Sequence, residues 1–84
     1  MSDNYFYEVL QAVRELSADE LADGALHGYS YFCGTRAALW EVSPGQMRQE
    51  LIAAMRSIGY DHDNAIRQVT KGLYDGLAVI NEEL

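Results

Sequence analysis

The chain has 84 residues, of which 49% are apolar and 23% charged, a composition typical of a folded globular domain rather than a disordered segment. It has no apolar run approaching the roughly 18 residues of a membrane-spanning helix, and it does not open with the basic stretch of an export signal. Thirteen acidic residues against six basic ones give a net charge of −7, which disfavours direct binding to nucleic acid or to anionic membranes. We therefore expect a soluble, cytoplasmic protein that forms a single helical domain over residues 1–84.

The first predicted helix covers residues 4–16. Its apolar residues recur every three or four positions, which places them on one side of a helix. They are Phe6, Val9, Leu10, Val13 and Leu16.

The second predicted helix covers residues 18–40. It begins at Ser17, which with Glu20 matches the capping-box pattern. Two apolar stripes follow, and a helix that is apolar over so much of its circumference is normally the most buried one. One stripe contains Leu21, Ala25, Phe32 and Leu39, and the other contains Leu26, Tyr29, Cys33 and Trp40. Glycines weaken helices, and the segment Tyr29-Ser30-Tyr31-Phe32-Cys33 has a strand-like composition. A break near Gly28 or a short strand is therefore the alternative to one continuous helix.

The third and fourth predicted helices cover residues 44–58 and 62–83. Ser43 suits an N-cap and Pro44 suits the first helical position, while Gly59 is typical of a helix end. The fourth helix carries an apolar line that includes Val69 and Leu73. Four helices with short connections predict an all-α fold, a small helical bundle.

Two pairs of glycines with a spacing of four residues are candidates for helix packing. They are Gly24 with Gly28 and Gly72 with Gly76. Two glycines at this spacing leave a shallow groove on one side of a helix, so another backbone can approach closely. We expect the second and fourth helices to cross there. The alternative is that either helix crosses a partner chain.

Negative charge is concentrated in the first 35 residues, which hold six acidic residues and only one basic residue, Arg14. Exposed tyrosines next to carboxylates are typical of protein-binding surfaces, because the ring supplies contact area at little entropic cost. Phe6 points inward in the predicted helix, so its neighbours Tyr5 and Tyr7 should point elsewhere. The predicted partner-binding residues are Tyr5, Tyr7, Glu8, Glu15, Asp19, Glu20 and Asp23.

The remaining candidates for chemistry favour structural roles. The segment Asp61-His62-Asp63-Asn64 lacks the glycine that a calcium-binding loop needs at its sixth position. Cys33 is the only cysteine and falls on an apolar stripe, so we expect an inert buried thiol. The sequence thus predicts a protein without a catalytic site, a metal site or a cofactor.

Together these patterns predict a small acidic interaction module that docks on a protein partner with a basic surface. In its sharper form it is an inhibitor of a nucleic-acid-binding protein, offering carboxylates where phosphates would sit, by analogy with phage-encoded decoys. The alternative is a homo-oligomeric structural or accessory subunit, such as a homodimer, in which the surplus apolar surface is buried between copies.

Overall fold

The computed structural model describes residues 5–56 and 62–83 and contains, within these ranges, five α-helices and no β-strand. The helices are α1 (Phe6–Arg14), α2 (Ala18–Ala22), α3 (Ala25–Trp40), α4 (Pro44–Arg56) and α5 (His62–Glu83). The predicted all-α fold is confirmed. The predicted count of four was approximate, because the predicted second helix is divided into α2 and α3.

The division between α2 and α3 lies at Gly24, so the predicted second helix is not continuous, and its break comes four residues before Gly28, where the alternative had placed it. Gly24 has φ +87°, a left-handed conformation that glycine adopts without the steric cost other residues incur. Its backbone N–H donates to the Leu21 carbonyl and closes the last turn of α2. Its own carbonyl accepts from Gly28 N–H in the first turn of α3. Gly28 therefore lies inside α3.

α3 is the central helix, because it packs against each of the other four. Its buried side holds Ser30 in addition to Leu26, Cys33, Ala37 and Trp40. Of the two predicted apolar stripes, the one containing Leu26 thus faces the core. In the other stripe, Leu21 of α2 is buried, but the α3 residues Phe32 and Leu39 are 41% and 71% accessible. The prediction that α3 is apolar and buried around most of its circumference needs this correction.

The hydrophobic core lies where α1, α3, α4 and α5 meet. α1 contributes the side predicted from its spacing, with Phe6 and Val13 almost fully buried. α4 and α5 complete the core with Met47, Leu51, Met55, Val69 and Leu73. The predicted helix end at Gly59 and the residues Asp61 and Leu84 lie outside the described residues.

α3 and α5 cross with their backbones in close contact, at three glycines. A Cβ atom on Gly34 would lie 2.6 Å from the Leu73 carbonyl oxygen, and one on Gly72 would lie 2.6 Å from the His27 carbonyl oxygen. A Cβ atom on Gly76 would overlap the Tyr31 carbonyl oxygen. Gly72 and Gly76 thus lie at the crossing on α5, and Gly34 lies opposite them on α3.

Gly24 and Gly28 take no part in this crossing, contrary to the prediction. A Cβ atom at either position would have nothing within 4 Å. Gly24 has a conformational role at the break, whereas Gly28 has neither a positive φ nor a close neighbour. The open space next to Gly28 belongs to the surface described below.

α3 ends at Glu41, which has φ +56° and is the only described residue other than glycine with a positive φ. Two hydrogen bonds close the end: Glu41 N–H donates to the Ala38 carbonyl, and Val42 N–H donates to the Ala37 carbonyl. This is the Schellman pattern, in which glycine normally occupies the left-handed position. The chain then enters α4, where Gln46 N–H donates to the Ser43 hydroxyl as predicted for an N-cap.

Candidate partner-binding groove and acidic face

An open groove of about 450 Å³ runs along the surface between α1 and α3, and we call it the α1–α3 groove. Residues of α1 and its N-cap form one wall: Tyr5, Glu8, Val9 and Ala12. Residues of α3 form the other: Tyr29, Phe32, Arg36, Leu39 and Trp40. Phe32 and Leu39 come from the exposed part of one apolar stripe, while Tyr29 and Trp40 belong to the stripe that faces the core. The groove is open because no other described helix covers Phe32 and Leu39.

Aromatic contacts hold the α3 wall in place. The Phe32 and Trp40 rings meet edge to face, with centroids 5.7 Å apart. Trp40 in turn contacts Phe6 of α1, with centroids 6.5 Å apart. The Arg36 guanidinium lies 4.7 Å from the centre of the Phe32 ring, a cation–π arrangement. The wall is therefore anchored in the core through Trp40, which is only 5% accessible.

The groove continues towards the start of α3, where a second open cavity of about 370 Å³ shares Val9, Tyr29 and Phe32 with the first. Ala25 and Gly28 line this extension. Because Gly28 has no side chain, the surface of α3 is lowered at this point.

Five carboxylates form what we call the acidic face: Glu8, Glu15, Asp19, Glu20 and Asp23. All five residues are exposed. Glu8 also lines the α1–α3 groove, so the acidic face begins at the groove wall. Glu15 follows Glu8 by seven residues, about two turns, and therefore projects from the same side of α1. The other three carboxylates lie on α2 and at its C-cap, a few residues further along the chain.

Glu20 has a structural role in addition to its charge. Its Oε1 accepts a hydrogen bond of 2.9 Å from Ser17 N–H, while Glu20 N–H donates to Ser17 Oγ at 3.2 Å. The predicted capping box is confirmed. The hydrogen bonds from the Ser17 backbone and side chain lower the pKa of Glu20 below its usual value. Glu20 is therefore a poor position at which to test the effect of charge alone.

The two predicted tyrosines lie on different sides of α1. Tyr5 is 53% accessible and lines the groove, whereas Tyr7 is 63% accessible and does not. Since an α-helix advances 3.6 residues per turn, positions two residues apart point in nearly opposite directions. The structure therefore brings Tyr5 together with Glu8 and leaves Tyr7 on another side.

A second polar cluster links α3 to α5. Asp75 Oδ2 accepts from Lys71 Nζ at 3.0 Å and lies 3.2 Å from His27 Nε2. The hydrogen bonds from Lys71 and then from His27 lower the pKa of the Asp75 carboxyl group. Nearby, His27 N–H donates to Gln68 Oε1 at 3.3 Å. These contacts join the two helices next to the glycine crossing, and each is explained by helix packing.

Other reactive groups in the described residues also have structural explanations. Cys33 is fully buried, and burial raises the pKa of its thiol to about 12, which suppresses the reactive thiolate. In the part of the chain that the structure describes, no three His, Cys, Asp or Glu residues are grouped so that they could hold a metal ion. None of the described helices is long and apolar enough to cross a membrane.

Sequence reasoning missed the α1–α3 groove and the role of Gly34. Phe32 and Leu39 were both assigned to an apolar stripe. Their spacing of seven residues shows that they share one side of the helix, but it does not show whether another helix packs against that side. For Gly34, the signal was a small residue four positions earlier, because Ser30 and Gly34 have the same spacing as the two glycine pairs.

Comparisons with known proteins identify no relative of this chain. No family model, curated protein or solved structure matches the chain significantly.

Proposed function

We propose that the protein is a non-catalytic interaction module that binds a basic surface of a protein partner. The observation that carries the proposal is that Glu8, one of the five exposed carboxylates of the acidic face, also lines the apolar α1–α3 groove. Apolar surface supplies binding free energy, while exposed carboxylates accelerate association with a basic partner and select for it.

The exposed side chains of the groove are suited to this role. Binding hot spots are rich in large aromatic side chains surrounded by polar groups that exclude water. Tyr5, Phe32 and Leu39 are each more than a third accessible, so a partner would remove a substantial apolar area from water. Phe32 is already positioned by its contact with Trp40, which reduces the entropic cost of binding.

The sharper form of the proposal concerns the partner's own activity. A protein that holds nucleic acid presents Lys and Arg residues to the phosphates. The carboxylates of the acidic face would occupy those residues in place of phosphates, and the module would then act as a competitive inhibitor.

Affinity capture from extracts of the source cells, at low and at higher salt, tests the proposal. The double variant Asp19→Asn/Asp23→Asn removes two charges from the acidic face without touching the capping box. Its control is Gln49→Lys/Ala53→Lys, which changes the net charge by the same amount on the exposed side of α4. Capture of a basic partner should fall with salt and in the first variant, but persist in the control. Equal capture by both variants would contradict the proposal.

A homodimer is the second candidate function, as an accessory subunit. The observation in its favour is that Glu8 and Arg36 both line the α1–α3 groove, so that two copies related by a twofold axis could pair them reciprocally. Sedimentation at micromolar concentration distinguishes the two candidates: the interaction module is expected to be a monomer, and the accessory subunit a dimer.

A further inference from the structure

We infer that the α1–α3 groove is the binding site for one amphipathic α-helix of the partner, with a stripe of bulky apolar residues flanked by Lys or Arg. The inference rests on the proposed function and specifies which structure the partner contributes. Three features of the groove carry it: its length, its lowered surface at Gly28 and the distribution of charge around it.

The groove has the length and walls that a helix requires. On α3 its lining extends from Ala25 to Leu39, a distance of about 21 Å at a rise of about 1.5 Å per residue. This corresponds to about four turns of a bound helix. The two walls are themselves helices, and exposed apolar side chains between two helices are the usual receptor for the apolar side of a third.

Gly28 lowers the α3 wall in the extension of the groove, so a bound helix can approach the α3 backbone there. A glycine within a helix is destabilising, and here neither a positive φ nor a crossing helix explains it. With Ala25 beside it, Gly28 leaves room for large side chains of a bound helix to enter between Val9 and Tyr29.

The charge distribution selects a basic helix over a second copy of this chain. Glu8 lines the groove, Glu15 projects from the same side of α1, and Asp23 comes two residues before Ala25, which lines the extension of the groove. A second copy would bring its own first 35 residues, with six acidic residues and one basic residue, against the same surface. Lys and Arg beside the apolar stripe of a foreign helix would instead pair with these carboxylates.

The test uses the full chain and a peptide of about 16 residues made of Leu and Lys, with Leu at helical spacing on one side. A scrambled peptide of the same composition keeps the charge but has no apolar stripe. Trp40 is the only tryptophan and lines the groove, so its fluorescence reports occupancy of the groove when the peptides lack tryptophan. We expect the amphipathic peptide to change the Trp40 emission and to bind at least about tenfold more tightly than the scrambled one.

Matched glycine variants localise the binding. Gly28→Gln places a long side chain in the groove, and Gly45→Gln makes the same change at an open position in α4. We expect at least about a tenfold loss of peptide affinity for Gly28→Gln and no change for Gly45→Gln. Leu39→Ser alters an exposed groove residue without disturbing the core, so loss of affinity there cannot be assigned to misfolding. Thermal unfolding monitored by circular dichroism verifies that each variant is folded.

Each failure has a distinct meaning. If both peptides bind equally and the groove variants have no effect, the inference is overturned while charge-driven binding stands. If neither peptide binds at low salt, both the inference and the proposed function are overturned. If the chain alone is a dimer that Gly28→Gln dissociates, the occupant is a second copy and the inference is overturned.

Discussion

The glycines of this chain have different roles according to what surrounds each one. Gly34, Gly72 and Gly76 lie where a Cβ atom would collide with the backbone of the opposite helix. Gly28 and Gly45 lie in helices where a Cβ atom would have nothing within 4 Å. The same residue type therefore permits close packing at three positions and leaves the other two open to substitution.

Alanine substitution should separate these two groups. Gly34→Ala forces the α3 and α5 backbones apart, and we expect the free energy of unfolding to fall by about 2 kcal/mol or more. Gly28→Ala introduces no clash and improves helix propensity, and we expect a rise of up to about 1 kcal/mol. Chemical denaturation monitored by circular dichroism measures both. Stabilisation by Gly34→Ala would show that the crossing is not tight.

Glu41 has an unfavourable backbone conformation at the end of α3, because an L-residue with a side chain is disfavoured at φ +56°. We expect Glu41→Gly to raise the free energy of unfolding by about 1 kcal/mol. Glu41→Ala removes the charge but keeps a Cβ atom, and it should change stability much less. An equal gain from both substitutions, measured by chemical denaturation, would assign the effect to charge.

At the scale of the element, α2 depends on its cap because it has only five residues. Ser17→Ala removes the hydroxyl that accepts from Glu20 N–H, and we expect a loss of about 1 kcal/mol in the free energy of unfolding. Thermal or chemical unfolding measures this loss. Ser17→Asn is the control, since asparagine is also a good N-cap and should retain most of the stability.

The link between α3 and α5 should make stability depend on pH through Asp75. Its pKa is lower in the folded protein, so its contribution is present above the ordinary pKa of aspartate and is lost as the pH falls through the folded value. Asp75→Asn should therefore be less stable than the wild type at pH 7. The difference should shrink near pH 3, which lies below the pKa of about 3.9 of an unperturbed aspartate. Urea unfolding at both pH values measures this change.

Lys71→Gln provides the comparison for this prediction, because it removes the first partner of Asp75 and leaves His27 in place. Its pH dependence should lie between those of the wild type and Asp75→Asn. A difference between Asp75→Asn and the wild type that is the same at both pH values would show that the ionised carboxylate is not responsible.

The sequence was most informative about where helices begin. Ser17 and Ser43 were predicted to be N-caps, and both accept the expected backbone hydrogen bonds, because capping depends on residues only three positions apart. The predicted second helix is broken at Gly24, whereas the only break considered from the sequence lay near Gly28. The Asp23-Gly24 pair, a typical turn sequence, was the local signal for its true position.

The candidate site was less predictable than the helices, because it depends on which surfaces pack together. The exposed carboxylates could be proposed from charge alone, but the α1–α3 groove could not. Phe32 and Leu39 are apolar residues that in most helices would face a core. Their exposure follows from the crossing of α3 with α5, which turns the Ser30–Gly34 side of α3 inward.

At the scale of the whole molecule, the net charge of −7 gives added salt two opposite effects. Screening weakens repulsion among the carboxylates, so the melting temperature should rise by a few degrees as the ionic strength increases to about 0.15 M. The same screening should weaken binding to a basic partner. Calorimetry and peptide titration at matched salt concentrations measure the two effects. A melting temperature that falls with salt would show that attractive ion pairs dominate the fold.

The burial of Cys33 also has a consequence for how the protein behaves under oxidising conditions. Its sulfur lies beneath the surface of the central helix, fully shielded from solvent. Two intact copies therefore cannot be joined through their sulfur atoms, and oxidants in storage buffers should leave the native protein unlinked. Covalent dimers seen on a non-reducing gel would come from chains that had unfolded first, and their abundance would measure how much of a preparation had lost its structure.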